Sequence, residues 1–238
     1  MTSGCSSSSP IACARLCIQA IIPAHNEVGT IAGVISGLAP FGLGGILVVD
    51  DGSDDATAAV AREVGAEVLR LERGQGGGKG QALRAGIHHV AQRNFDYYLF
   101  LDGDGQHDPA DLQNFLEALA QEPAPDFLIG SRKQDRERIP KIRWRTNALG
   151  SWTLGRIAGV VWEDSQSGFR MVKKKLVDRM TLGGRGFSIE MEMAMKAAHH
   201  RIRWVHVPIR AIYHAEGGFS HFRGVLDTWL IAWYSLWC

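Results

Sequence analysis

Two aspartates, Asp102 and Asp104, follow directly on the apolar run Tyr97-Tyr98-Leu99-Phe100-Leu101. A run so poor in polar side chains reads as a buried strand, and residues two apart in an extended chain point the same way. Carboxylates aimed at one point repel unless a proton or cation lies between them, and a hard divalent ion, Mg²⁺ or Mn²⁺, is the usual partner for oxygen ligands. Gln106, two residues further on, adds a neutral oxygen. Such an ion would also take oxygens from a diphosphate. The alternative is a plain turn, because Asp-Gly pairs are common turn formers. A calcium loop of the EF-hand kind is set aside: its sixth place, which must be Gly, is His107, and its twelfth, which must be Glu, is Gln113.

Other polar residues cluster in the same way at the ends of apolar runs. Asp50-Asp51 close the run from Gly45 to Val49, side by side, and can accept hydrogen bonds from a base N–H and from ribose hydroxyls; capping of a following helix accounts for Ser53 or Asp54 alone. Glu27, within Pro23-Ala24-His25-Asn26-Glu27, would share their crevice. The glycine-rich stretch Gly74–Gly80 is not a phosphate-binding P-loop, since position 73 is Arg and position 80 is Gly where Ser or Thr is required. It can still present Lys79 to a phosphate; the alternative is a solvated loop. Farther on, Arg132, Lys133, Arg136, Arg138, Lys141, Arg143 and Arg145 place seven cations within fourteen residues, interleaved with Ile139, Ile142 and Trp144, which suits an anionic acceptor at a membrane. An ordinary charged loop is the competing reading. Asp164 and Glu190 are the carboxylates that can orient or deprotonate an acceptor, or else pair with Arg170 or Arg185.

The elements that would position these groups alternate. Runs suited to buried strands span Leu16–Ile22, Gly45–Val49, Glu67–Leu71, Tyr97–Leu101 and Asp126–Ile129, and helix-period segments span Thr30–Leu38, Asp54–Val64, Lys79–Gln92 and Pro109–Ala120. Asp108 and Pro109 supply a cap and a first residue for the last of these. Further helices are expected from Trp144 to Ala158 and from Ser188 to His199. This alternation predicts a doubly wound α/β sheet, whose ligands bind beyond the carboxyl ends of the strands.

One domain of this size accommodates the chain, with a tail at 1–16, the main domain at 17–221 and an amphipathic helix at 222–238. With 26 basic against 25 acidic side chains there is no global field to attract nucleic acid, so any anion site is local. Cys5, Cys13, Cys17 and Cys238 form no metal-ligand pattern and read as free thiols of a reducing compartment. The opening residues lack the basic start of a secretion signal, and Arg15 breaks their apolar run. No uninterrupted apolar run reaches the length of a transmembrane helix. Between 222 and 238, Val225, Trp229 and Trp233 recur at helical spacing, which fits packing on the core or lying in a membrane interface.

Together, Pro23-Ala24-His25-Asn26-Glu27, Val48-Val49-Asp50-Asp51-Gly52-Ser53, Lys79-Gly80, Asp102-Gly103-Asp104-Gly105-Gln106-His107-Asp108-Pro109, Gly130-Ser131-Arg132 and Ser167-Gly168-Phe169-Arg170 resemble glycosyltransferase family 2, in the branch of dolichyl-phosphate mannose synthases and polyprenyl-phosphate glycosyltransferases. The resemblance spans roughly residues 18 to 225 and lies in the order of the motifs. It implies a GT-A-type, Rossmann-like α/β domain with a mixed, mostly parallel central sheet, and an inverting, metal-dependent transfer of a hexose from GDP-mannose or a UDP-sugar to a polyprenyl or dolichyl phosphate. It implies too that Pro23, His25, Glu27, Asp50, Asp51, Lys79, Asp102 and Gly103 contact the donor, and that Asp102, Asp104 and Gln106 surround Mg²⁺ or Mn²⁺. Asp104, Asp164, Arg132 and Glu190 are then the expected catalytic set, and the protein is expected to be cytoplasmic and peripheral at the membrane face. His25 departs from the tyrosine of many relatives, and the membrane-spanning helices that some carry after the catalytic domain are not seen. A transferase acting on a hydroxyl acceptor and a non-catalytic nucleotide-sugar-binding module remain as alternatives. A nucleotidyltransferase would carry G-x-G-x-R where Ala24-His25-Asn26-Glu27 stands.

Overall fold

The computed structural model describes residues 16–72, 78–134, 151, 155–156, 161–164, 167–183, 188–200, 202–210 and 212. Within them the strands are β1 (Ile18–Ala24), β2 (Gly45–Asp50), β3 (Glu67–Arg70), β4 (Tyr97–Phe100), β5 (Phe127–Ser131), β6 (Arg170–Lys173) and β7 (Trp204–Pro208). They form one sheet in the order β3-β2-β1-β4-β6-β5-β7. Every pairing is parallel except those of β6, which runs antiparallel to both β4 and β5. The reversal has a consequence for the site. In the β4–β6 register Phe100 lies opposite Arg170, so the residues leaving β4 meet the residues entering β6 at one edge of the sheet.

Period-two alternation of apolar side chains covers both faces of the sheet. Ile18, Ala20, Ile22 and Leu99 join the layer made with α1 (Ile31–Leu38), α2 (Thr57–Glu63) and α4 (Leu112–Leu119). Ile21, Tyr98 and Phe100 join the layer made with α3 (Lys79–Val90), the short α5 (Lys174–Val177) and α6 (Ser188–Ala198). Helix α3 lies close on the strands because Gly86 has no side chain: a Cβ there would come 2.7 Å from Ile21 Cγ2 and 2.9 Å from Val49 Cγ2. In the first layer Phe115 stacks on Phe169 at a centroid distance of 4.5 Å, a fully buried pair whose truncation costs about 3–5 kcal/mol.

Several expected boundaries shift. The segment after Asp108 is not one helix; a 3₁₀ turn over Pro109–Asp111 precedes α4, with the Asp108 side chain accepting from the Ala110 N–H. Helix α2 begins at Thr57 rather than Asp54, and the carboxylate accepting the Thr57 N–H is that of Asp55. The tail, the glycine-rich residues 73–77, the basic residues from Arg136 to Arg145, most of the helix expected from Trp144 to Ala158, and the segment 222–238 lie outside the described residues. Among the described residues no helix is long and apolar enough to cross a membrane.

Candidate active site

The loops after β1 and β2 interlock. Asn26 takes a left-handed backbone conformation, φ 58°, tolerable for Asn because its short amide bonds locally. In that pose its N–H donates to Ser53 Oγ at 2.9 Å while its Oδ1 accepts from the Asp54 N–H at 2.8 Å. The Glu27 N–H donates to Thr57 Oγ1 at 2.8 Å. Thr30 Oγ1 donates to the Gly103 carbonyl at 2.7 Å, and the Gly103 N–H donates to the Pro23 carbonyl, which ties the loop after β4 into the same assembly. The His25 ring, exposed, places Nδ1 3.0 Å from the Asp51 carbonyl.

Asp50 and Asp51 part company here. Consecutive residues at a strand end face opposite ways. Asp50 is the correction: its carboxylate is fully buried, accepts from the Ser53 N–H at 3.0 Å and lies 3.3 Å from Arg70 Nε, inside the fold rather than at the mouth of the sheet. Asp51 remains partly exposed, and its Oδ1 is buried with no hydrogen-bond partner. An orphaned acceptor of that kind is costly unless a ligand donor meets it.

The carboxylates around β4 are crowded. Glu27 is pushed up to about 7, first by burial, then by Asp104, with Asp102 and Asp55 adding to it against a hydrogen bond from Thr30. Asp104 Oδ1 accepts from the Gln106 N–H at 2.9 Å, closing the turn. Asp102 is partly buried, which raises its carboxyl, yet it is held below the usual range because Lys79 Nζ lies 2.6 Å from Oδ1. The same ammonium lies 2.6 Å from Glu190 Oε1. Lys79 is the first residue of α3, and Glu190 stands in the first turn of α6, so two helix starts and a strand end meet at one nitrogen. Gly168, just before β6, makes this possible. A Cβ there would overlap the Asp102 carboxylate and come 3.0 Å from Lys79 Nζ.

On the far side Arg132 holds Asp164 in a two-pronged pair, Nε to Oδ2 at 2.7 Å and Nη2 to Oδ1 at 3.0 Å. Glu163 beside it accepts from Ser131 Oγ and Lys133 Nζ. Among the described residues Asp164 is held by Arg132 and Glu190 by Lys79, while Arg185, one of the expected partners, lies outside them. Arg170 is wholly buried and donates instead to the carbonyls of Ser167 and Glu190. His107 was foreseen only as a motif residue. It is buried 3.9 Å from Asp102, with its pKa lowered by burial to about 4, so it is a neutral ring packed near Phe169. Nothing in its spacing announced that position; the antiparallel entry of β6 creates it.

The donor set at this edge fits a hard cation. Asp102, Asp104 and Gln106 offer oxygens, and the Glu27 carboxyl, raised first by burial, is raised further by Asp104 and Asp102. Among the described residues no group of three or more His, Cys, Asp or Glu side chains is already gathered as a cage.

Known proteins are similar to this chain in sequence and in fold. Residues 19–190 match glycosyl transferase family 2. The glycosyltransferase AglJ of Haloferax volcanii is 34% identical over 215 residues, covering 89% of this chain and 68% of its own. The polyprenol monophosphomannose synthase of Mycolicibacterium smegmatis is 29% identical, with 79% and 75% covered. A crystal structure of glucosyl-3-phosphoglycerate synthase from Mycobacterium tuberculosis, in complex with Mn²⁺, UDP-glucose and phosphoglyceric acid, superposes with a TM-score of 0.64 at 22% identity, covering 84% of this chain and 72% of that one. That likeness is one of fold, and the fold is that of GT-A enzymes. With the sequence profile extending from β1 to the first turn of α6, the chain belongs to glycosyltransferase family 2 and is a glycosyltransferase.

Proposed function

We propose that the protein transfers a hexose, with inversion, from a nucleotide-sugar to a polyprenyl phosphate, working as a peripheral protein at the cytoplasmic face of a membrane. The observation that carries this reading is the state of the two carboxylates on the acceptor side. Asp164 is bound by Arg132 and Glu190 by Lys79, each at 2.7 Å or closer. Both carboxylates are thus engaged by cations rather than free to meet an acceptor's proton. A hydroxyl acceptor needs a base to take its proton, whereas a lipid phosphate, with a second pKa near ~6, arrives already mostly anionic. Arg132 and the exposed Lys133 meet it with positive charge. The name of the mycobacterial relative supports the same acceptor class.

On the donor side the Asp51 Oδ1 can accept a nucleobase or ribose donor, and Pro23, His25 and Glu27 border the same loop. Asp102, Asp104 and Gln106 would hold Mg²⁺ or Mn²⁺, which when bound neutralises charge on the leaving diphosphate. Gly103 lets the β4 loop press against β1: a Cβ there would come 3.2 Å from the Pro23 carbonyl. Lys79 supplies further positive charge to the phosphates. The catalytic reading therefore rests on Asp104 and Arg132, with Asp164 and Glu190 orienting the two cations.

The test is a transfer assay with labelled GDP-mannose, UDP-glucose and UDP-N-acetylglucosamine, Mn²⁺, and undecaprenyl phosphate, undecaprenol or a free saccharide as acceptor. Organic-phase label that requires the phosphate of the lipid is expected with one of the donors. Transfer to the saccharide or to undecaprenol, with none to the lipid phosphate, overturns the acceptor.

A further inference from the structure

Lys79 is in an unusual position for a residue whose task is to meet a substrate phosphate. It is partly buried, it bridges two carboxylates from different elements, and one of these is the Asp102 expected to touch the metal. We propose that Lys79 is the resident counter-cation of Asp102, retained by Glu190, and that it makes binding of the divalent ion conditional on a nucleotide diphosphate. The inference rests on the metal reading above and deepens it.

A divalent ion and an ammonium cannot both sit within contact of one partly buried carboxylate without mutual repulsion. At Asp102, therefore, the ion competes with Lys79. The backbone of Lys79 is fixed by the start of α3, where Gly78 precedes it at φ 75°. Only the side chain can move. Moving it wholly into solvent would strip the buried Glu190 of its direct ion pair and leave it only the charge of nearby Arg170, which is costly. Glu190 prevents this: its Oε1 already holds the ammonium, and its Oε2 is buried with no hydrogen-bond partner, so it can take the nitrogen more fully as Asp102 gives it up. A diphosphate completes the exchange by offering the displaced ammonium new anionic oxygens while bringing ligands to the ion. The site is built tightly for the ligand-free arrangement, because any side chain at position 168 would overlap Asp102 and crowd Lys79.

The experiment is a Mn²⁺ titration of the full chain, read by the electron paramagnetic resonance signal of the free aquo ion, with no nucleotide, with GDP and with UDP. Wild type is expected to bind Mn²⁺ weakly alone and more tightly with one nucleotide. Lys79→Met should bind Mn²⁺ alone about tenfold more tightly than wild type, since the competing charge is gone, and gain less from the nucleotide. Glu190→Gln should shift the other way, weakening Mn²⁺ binding in the presence of nucleotide because Lys79 has lost its second holder; it carries the test if Lys79→Met does not fold. If wild type binds Mn²⁺ with a nucleotide but neither variant moves as stated, the counter-cation role is overturned and the metal reading stands. If wild type binds no Mn²⁺ with either nucleotide, the metal reading itself fails.

Discussion

The two flanks of the site are held by different forces. On the β1–β2 flank the loops are joined mostly by short neutral side chains bonded to backbone: Asn26 to Ser53 and Asp54, Glu27 to Thr57, Thr30 to Gly103. The Asp55 carboxylate takes the Val28 N–H, and an ion pair, Asp50 with Arg70, lies beneath them. On the β5–β6 flank the joints are ion pairs, Arg132 with Asp164, Lys133 with Glu163 and Lys79 with Glu190. Neutral bonds to backbone fix a loop at small entropic cost and ignore salt. Pairs of long charged side chains leave the geometry dependent on which anions and cations are present. The first flank is thus suited to an invariant ligand portion such as a nucleoside, and the second to charges that change during a reaction.

Asp104→Asn gives the largest expected effect. Removing one carboxylate from the cation site should lower transfer by about 10²–10³-fold while leaving the fold intact, and a chelator should do the same to wild type. Near-full activity of the variant, or of wild type in EDTA, would take the cation out of the reading. Next comes Arg132→Leu. It leaves the Asp164 carboxylate, only 3% exposed, without its main partner, a loss of roughly 3 kcal/mol in a urea melt at pH 7. The double variant Arg132→Leu/Asp164→Leu should lose less than the single one, because no buried charge is stranded. Equal losses would mean that the pair is ordinary packing, and the contrast between the flanks would lose its main support.

The first flank was more legible in the sequence than the second. Strands β1, β2 and β4 carry dense apolar runs, and each ends in the motif residues that the loops display. What misled there was local: Asp50 and Asp51 look equivalent as a pair, and only the alternation of faces sends the first inward. On the second flank the partners of Asp164 and Glu190 depend on long-range placement. Lys79 and Glu190 are more than a hundred residues apart, and they meet because β6 enters antiparallel and α6 starts beside α3. Neither periodicity nor motif spacing encodes that meeting. Gly168 was visible only as part of a motif; its close approach to Asp102 gives it a physical reason.

The pH dependence of stability separates the flanks further. Glu27 has a folded pKa of about 7 against an ordinary 4.5. Between those values the folded state binds the extra proton, so stability falls as pH rises from about 4.5 to 7 and the penalty is complete above that. Glu27→Gln keeps the Thr30 contact possible and removes the charge. It should be neutral near pH 4 and stabilising by about 2 kcal/mol at pH 8, the figure being discounted for partial exposure. Urea midpoints at the two pH values in EDTA provide the measurement. A gain that is the same at both would assign the effect to something other than the crowded carboxylates.

Ser53→Ala is the smallest change and the most direct probe of the neutral joints. It removes the acceptor of the Asn26 N–H, at a cost of about 1 kcal/mol. The loss should be unchanged between 0.05 and ~1 M NaCl, because no net charge is involved, whereas screening should shrink the Arg132→Leu loss wherever the pair is reached by solvent. Asn26 sits at φ 58° partly because its Oδ1 and N–H are both bonded in that pose. Loss of one bond should therefore loosen the loop at Asn26 and Glu27 first, seen as faster amide exchange there than at Asp164 or Glu190. If Ser53→Ala instead speeds exchange equally on both flanks, the two are one cooperative unit and the division by force has no dynamic counterpart.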